Sequence, residues 1–91
     1  MIKRIYLISP NKIKPNFFKS LEDVLSSGKI KYFQLRLKKY PNYQLIKIAR
    51  RVRIITKKYR VKLIINDFPE LAKKINADGC HLGQKDIAIK K

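Results

Sequence analysis

An α/β fold built on a parallel sheet is predicted by two features of this 91-residue chain. Short apolar runs alternate with segments of helical period along most of its length. Three of those runs also end abruptly in polar groups. Tyr32-Phe33 leads into Gln34-Leu35-Arg36-Leu37-Lys38, Leu63-Ile64-Ile65 into Asn66-Asp67, and Asp78-Gly79-Cys80 into His81-Leu82-Gly83-Gln84-Lys85-Asp86. An unalternating apolar run reads as a parallel strand covered on both faces. Ligands and catalytic groups gather at the carboxyl ends of such strands, so three polar ends predict one shared site.

The elements follow in order. Residues 2–9 read as a first strand, closed by Pro10-Asn11. Residues 17–27 read as a helix with Phe17, Phe18, Leu21, Val24 and Leu25 on one face, Asn16 as N-cap and Gly28 at the stop. Residues 31–37 form a second strand. Pro41-Asn42 opens a long helix to about Tyr59, whose stripe of Leu45, Ile48, Ala49, Val52, Ile55 and Tyr59 holds the helical period. Residues 62–66 form a third strand, and Pro69 starts a short helix running to Ile75. After the turn Ala77-Asp78-Gly79, residues 79–82 form a fourth strand.

Composition bounds the function. The chain is one small domain or part of a larger one, and 45% hydrophobic residues argue against wholesale disorder. Lys and Arg number 23 against 6 acids, a net charge of +17, which raises nucleic acid or an anionic ligand as a partner. The basic residues are spread from Lys3 to Lys91 rather than blocked together, and RNA- and DNA-binding signatures are absent. No specific nucleic-acid partner is therefore expected. Lys47, Arg50, Arg51, Arg53, Lys57 and Lys58 read as the solvated face of the long helix, although that helix is also the best nucleic-acid candidate. Cys80, the single cysteine, excludes an internal disulfide framework and fits a reducing compartment. No apolar run approaches the roughly 18 residues of a membrane span, and the first residues are too short for a secretory signal. A cytoplasmic protein without a membrane partner is the expectation.

A β-α-β-α-β-α-β order allows a doubly wound sheet or part of a (β/α)8 barrel. Ser9-Pro10-Asn11-Lys12 carries no glycine-rich dinucleotide fingerprint after the first strand, which favours the barrel. A whole TIM barrel takes about 200 residues or more. This chain would cover about the first four β/α units, a half barrel.

The strand ends define the chemistry. Gln34, Arg36 and Lys38 share one side of a strand. Arg offers phosphate a planar fork, Lys adds a compact charge, and Gln both donates and accepts. A merely charged strand terminus is the alternative. Asp67 and Asp86, two of six acids, suit Mg²⁺ shared with a substrate diphosphate. An Asx turn and an N-cap are their structural alternatives. His81 reads as a structural hydrogen-bonding group rather than a general base, and Gly83 as relief for a tight turn.

These residues resemble the thiamine phosphate synthase family, with its thiazole tautomerase relatives. Tyr6-Leu7-Ile8-Ser9 looks like the family's opening strand, and Gln34 to Lys38 like its Q-L-R-x-K motif. Leu63 to Asp67 is similar to L-I-I-N-D, and Ala77 to Asp86 to A-D-G-V-H-L-G-Q-x-D. The resemblance implies a (β/α)8 barrel joining hydroxymethylpyrimidine diphosphate to a thiazole phosphate, with release of diphosphate. It implies that Gln34, Leu35, Arg36, Leu37, Lys38 and Asn66 hold the pyrimidine diphosphate and that Asp67 and Asp86 ligate Mg²⁺. Leu37 departs from the family pattern, where an acid is usual, and Phe68 where Arg is common. The family's second half supplies further diphosphate contacts and the thiazole phosphate loops, so the 91 residues alone are expected to lack turnover. Open sheet edges further imply pairing with a second copy or with a separately encoded second half. A tautomerase-type relative and a non-enzymatic basic binding module are the alternative functions.

Overall fold

The computed structural model describes residues 5–82 and 86–89, with side chains over 6–81. In chain order the elements are β1 (Ile5–Ile8), α1 (Phe17–Leu25), β2 (Ile30–Leu35), α2 (Asn42–Lys58), β3 (Lys62–Asn66), α3 (Pro69–Lys74), β4 (Gly79–Leu82) and β5 (Asp86–Ile89). The strands make one sheet in the order β1-β2-β3-β4-β5. The first four run parallel, in register pairs such as Leu7↔Phe33, Gln34↔Ile64 and Asn66↔His81.

β5 is a correction to the expected strand count. It pairs antiparallel with β4, Leu82 opposite Asp86, so the fourth strand is not the open edge that the sequence predicts. Its residues Ile87, Ala88 and Ile89 are apolar and two are β-branched, a strand signal too short to stand out beside the polar stretch before it.

Alternation along the strands separates two faces. Phe33, Leu35, Leu63, Ile65 and Cys80 belong to one buried cluster with Leu21 and Leu25 of α1, Leu45, Ala49, Val52 and Ile55 of α2, and Leu71 and Ala72 of α3. All three helices therefore pack on the same side of the sheet. The opposite face carries Tyr6, Ile8, Tyr32, Gln34, Ile64, Asn66 and His81, with Ile8 half exposed. Among the described residues, helices thus cover one face of the sheet. A doubly wound sheet, with helices on both faces, is excluded for the described residues.

The helix ends show how local chemistry closes each unit. α2 and α3 both stop on non-glycine residues in the left-handed region, Arg60 at φ 59° and Asn76 at φ 58°. The next amides reach back five residues, Val61 N–H to Thr56 O and Ala77 N–H to Ala72 O, each at 2.8 Å. These are Schellman closures, and the buried Val61 and Ala77 supply the apolar contact that accompanies them. At α1, Gly28 does adopt φ 78° just past the end, but Asn16 makes no side-chain cap, a second correction. Its φ of −90° and ψ of 9° are not the extended geometry from which an N-cap side chain reaches N2 or N3.

Most basic residues of α2 face solvent, and two tie it to α1: Arg51 lies 3.8 Å over the Phe18 ring and Lys58 pairs with Glu22 at 3.3 Å. The Glu22 carboxylate holds the Lys58 ammonium above its ordinary pKa, through the hydrogen bond first and charge second. Arg53 turns inward instead, donating to Asp78 at 2.8 Å. The same Asp78 oxygen accepts from Leu63 N–H at 2.7 Å, and Asp78 N–H donates to Leu63 O at 2.8 Å. Asp78 therefore locks α2 to the start of β3. Among the described residues, no helix is long and apolar enough to cross a membrane.

Candidate functional site

The site is assembled at the carboxyl ends of β1 to β4, on the face without helices. β2 supplies Gln34, buried, whose Nε2 donates to Tyr6 Oη at 3.2 Å. Tyr6 is itself stacked on Tyr32 with ring centroids 5.7 Å apart. The Gln34 amide is thereby oriented by a side chain of the neighbouring strand.

Beyond β2 the chain continues as a loop that two neighbours hold straight. Arg36 N–H donates to Ser9 Oγ at 2.8 Å, and Ser9 N–H donates to Gln34 O at 2.9 Å. Lys38 N–H donates to Asn11 O at 3.2 Å, and Ile13 N–H to Tyr40 Oη at 2.9 Å. Between the exposed Arg36 and Lys38, Leu37 is buried at 4% exposure in the helix-side core. The alternation predicted from sequence thus persists past the last strand residue. Leu35 and Leu37, counted with the substrate-binding segment, turn their side chains into that core, leaving only backbone to offer a ligand. Leu37, where the sequence departs from the family pattern, takes no part in the cleft lining.

β3 ends in Asn66 and Asp67. Asp67 adopts φ 67°, a left-handed conformation that Asp tolerates better than most residues. Its N–H donates to His81 O at 2.7 Å, and its Oδ2 accepts from Asn66 Nδ2 at 3.0 Å. Asn66 Oδ1 lies 3.0 Å from His81 Nδ1. The end of β3 and the end of β4 are joined through both backbone and side chains.

A cleft of about 480 Å³ is lined by Ile8, Gln34, Arg36, Lys38, Asn66, Asp67 and His81. That volume suits a small ligand. Five residues singled out from sequence as ligand or metal groups, namely Gln34, Arg36, Lys38, Asn66 and Asp67, meet there. Asp86 opens β5, but its side chain lies outside the described residues. Sequence reasoning missed Tyr6 and Ser9. The signal for Ser9 was present, since β1 also ends its apolar run in a polar residue.

The model of the family described as thiamine monophosphate synthase matches residues 5–91. The chain belongs to that family. A thiamine-phosphate synthase of Pelagibacter ubique is 57% identical over 88 residues, which are 96% of this chain and 42% of that protein. One from Clostridioides difficile is 40% identical over 89 residues, again 96% of this chain and 42% of the relative. Among solved structures, a thiamine phosphate pyrophosphorylase from Pyrococcus furiosus superposes with a TM-score of 0.78 at 28% identity, covering 91% of this chain and 40% of that one. The chain spans about two fifths of the length of the relatives it matches.

Proposed function

We propose that this chain carries the pyrimidine diphosphate side of a thiamine phosphate synthase site. The whole reaction would couple hydroxymethylpyrimidine diphosphate to a thiazole phosphate and release diphosphate. The observation that carries this reading is the meeting of Gln34, Arg36, Lys38, Asn66 and Asp67 on one cleft. Arg36 and Lys38 are exposed cations on the cleft wall and would take the diphosphate oxygens, Arg through its fork and Lys as a point charge. Gln34, its amide nitrogen committed to Tyr6, would turn its carbonyl oxygen to a donor on the heteroaromatic ring. Asn66 retains one N–H beyond the bond to Asp67 for the same ring. As the bond to the leaving diphosphate lengthens, the two fixed cations would stabilise the charge that develops on it.

Mg²⁺ prefers hard oxygen donors and keeps several of its waters. The described residues fit that demand modestly: Asp67 presents an exposed carboxylate on the cleft, with one oxygen accepting from Asn66. Asp67, with Asp86 as second ligand, would hold the ion. Bound there, Mg²⁺ would neutralise part of the diphosphate charge.

The same reading makes the sheet the first part of a (β/α)8 barrel. Sequential strand order, helices on one face only and polar groups at the carboxyl ends support it. The synthase names of the relatives favour coupling over the tautomerase reaction. Further contacts to the two substrates, and a second chain or second copy to complete the barrel, belong to this reading as well.

Calorimetry with Mg²⁺ tests it. Mg²⁺ alone should bind weakly, diphosphate should tighten its uptake, and Asp67→Asn should remove most of that coupling. Equal uptake by wild type and Asp67→Asn, with and without diphosphate, would contradict the metal assignment.

A further inference from the structure

His81 enters the cleft lining without a role in the proposed chemistry, and its tautomer follows from its neighbours. The Asp67 carboxylate can only accept hydrogen bonds, so the Asn66 atom 3.0 Å from it must be the amide nitrogen. That contact fixes the orientation of the Asn66 amide. Its carbonyl oxygen, Oδ1, then faces His81 Nδ1 at 3.0 Å. A carbonyl oxygen cannot donate, so Nδ1 must carry the hydrogen. In the neutral ring the other nitrogen, Nε2, is then a bare acceptor. Backbone geometry supports the arrangement, because Asp67 N–H is held on His81 O at 2.7 Å, which keeps the two strand ends in register.

We infer that His81 is a positioning and specificity residue: the chain Asp67–Asn66–His81 holds it as the Nδ1–H tautomer and offers Nε2 as a hydrogen-bond acceptor to an amino or hydroxyl group of the cleft ligand. The inference rests on the proposed function for the ligand's identity, and on geometry alone for the tautomer. It assigns a neutral donor on the ligand, such as an exocyclic amine on a heteroaromatic ring. A ligand bearing an acceptor at that position is disfavoured, since two lone pairs would face one another. In return, His81 pins the Asn66 amide from the side opposite Asp67, so that the remaining Asn66 N–H points one way only.

His81 is the single histidine of the chain, so its ring nitrogens are read without ambiguity in a long-range proton–nitrogen correlation spectrum of the ¹⁵N-labelled protein. With the ring neutral, the ligand-free protein should show a protonated Nδ1 and an unprotonated Nε2. Asn66→Ala should shift the ring toward the Nε2–H tautomer that free imidazole side chains prefer. Apart from signals near the site, the amide spectrum of Asn66→Ala should match that of the wild type, which controls for misfolding. A wild-type spectrum dominated by Nε2–H overturns the inference.

Hydroxymethylpyrimidine diphosphate should then perturb Nε2 and leave Nδ1 unchanged. His81→Ala should weaken its binding by up to about tenfold while leaving an analogue without the exocyclic amine unaffected. Equal losses for both ligands would overturn the specificity role. Failure of wild type to bind either ligand would instead contradict the proposed function, with the tautomer already decided by the ligand-free spectrum.

Discussion

Asp67 and Asp78 are two of only six acidic residues in the chain, and they sit in different settings, Asp67 on the cleft and Asp78 between α2 and β3. Asp78 is structural: one oxygen accepts from Arg53 and from the Leu63 amide, and its own amide donates to Leu63 O. Asp78→Ala leaves a strand amide and a guanidinium without their acceptor. It should cost about 2–3 kcal/mol, seen as a lower urea midpoint at unchanged slope. From sequence Asp78 reads only as part of a turn, because its partners lie 15 and 25 residues away. Asp67 is the reverse case. Its placement just past an apolar strand marks it as more than packing, and the cleft position agrees. The role of Tyr6 was not legible, since it acts through Gln34 on the neighbouring strand rather than through a motif. Ser9 did carry a signal, a polar residue closing an apolar run, but its partner Arg36 lies 27 residues away.

At the scale of elements, boundaries were legible wherever apolar period and breaker residues agreed. α2, β3 and β4 match their expected spans closely because Pro41, the Leu45-Ala49-Val52 stripe and the Leu63-Ile64-Ile65 run leave one register each. β5 was not legible, as an antiparallel return of four residues carries too little pattern. The ends of α2 and α3 fall within one residue of the expected stops at Tyr59 and Ile75, although the usual glycine signal is absent. α2 and α3 use Arg60 and Asn76 where a left-handed residue is required, so no glycine flags the stop. Arg60 at φ 59° bears the cost of a side chain in that region. Arg60→Gly should therefore raise stability by about 0.5–1 kcal/mol, a higher melting temperature in calorimetry. A lower one would show that the Arg60 side chain contributes more than its conformation costs.

For the whole molecule, two properties set behaviour: a net charge of +17 and a sheet face without helices, on which Tyr6 and Ile8 are 40% and 50% exposed. Mutual repulsion opposes contact between such faces at low salt, and screening removes the opposition over a Debye length of about 8–10 Å at physiological salt. Light scattering should show association rising with ionic strength, and Ile8→Lys should suppress it. A monomer at every salt concentration would contradict cover of this face by a second copy. In the barrel reading, β5 must also leave the edge of β4 to admit a parallel strand, since the two cannot share that edge.

High charge also creates the sharpest rival to a built site, because any diphosphate is attracted to so basic a surface. Titration of hydroxymethylpyrimidine diphosphate into wild type, Arg36→Ala, Lys38→Ala and Lys47→Ala separates the two. Lys47 is exposed on α2 and absent from the cleft lining, so it reports general attraction alone. A built site predicts losses of about tenfold or more for Arg36→Ala and Lys38→Ala, as expected for charge-assisted hydrogen bonds, and almost none for Lys47→Ala. Equal, small losses for all three variants, vanishing together as salt is raised, would contradict the site.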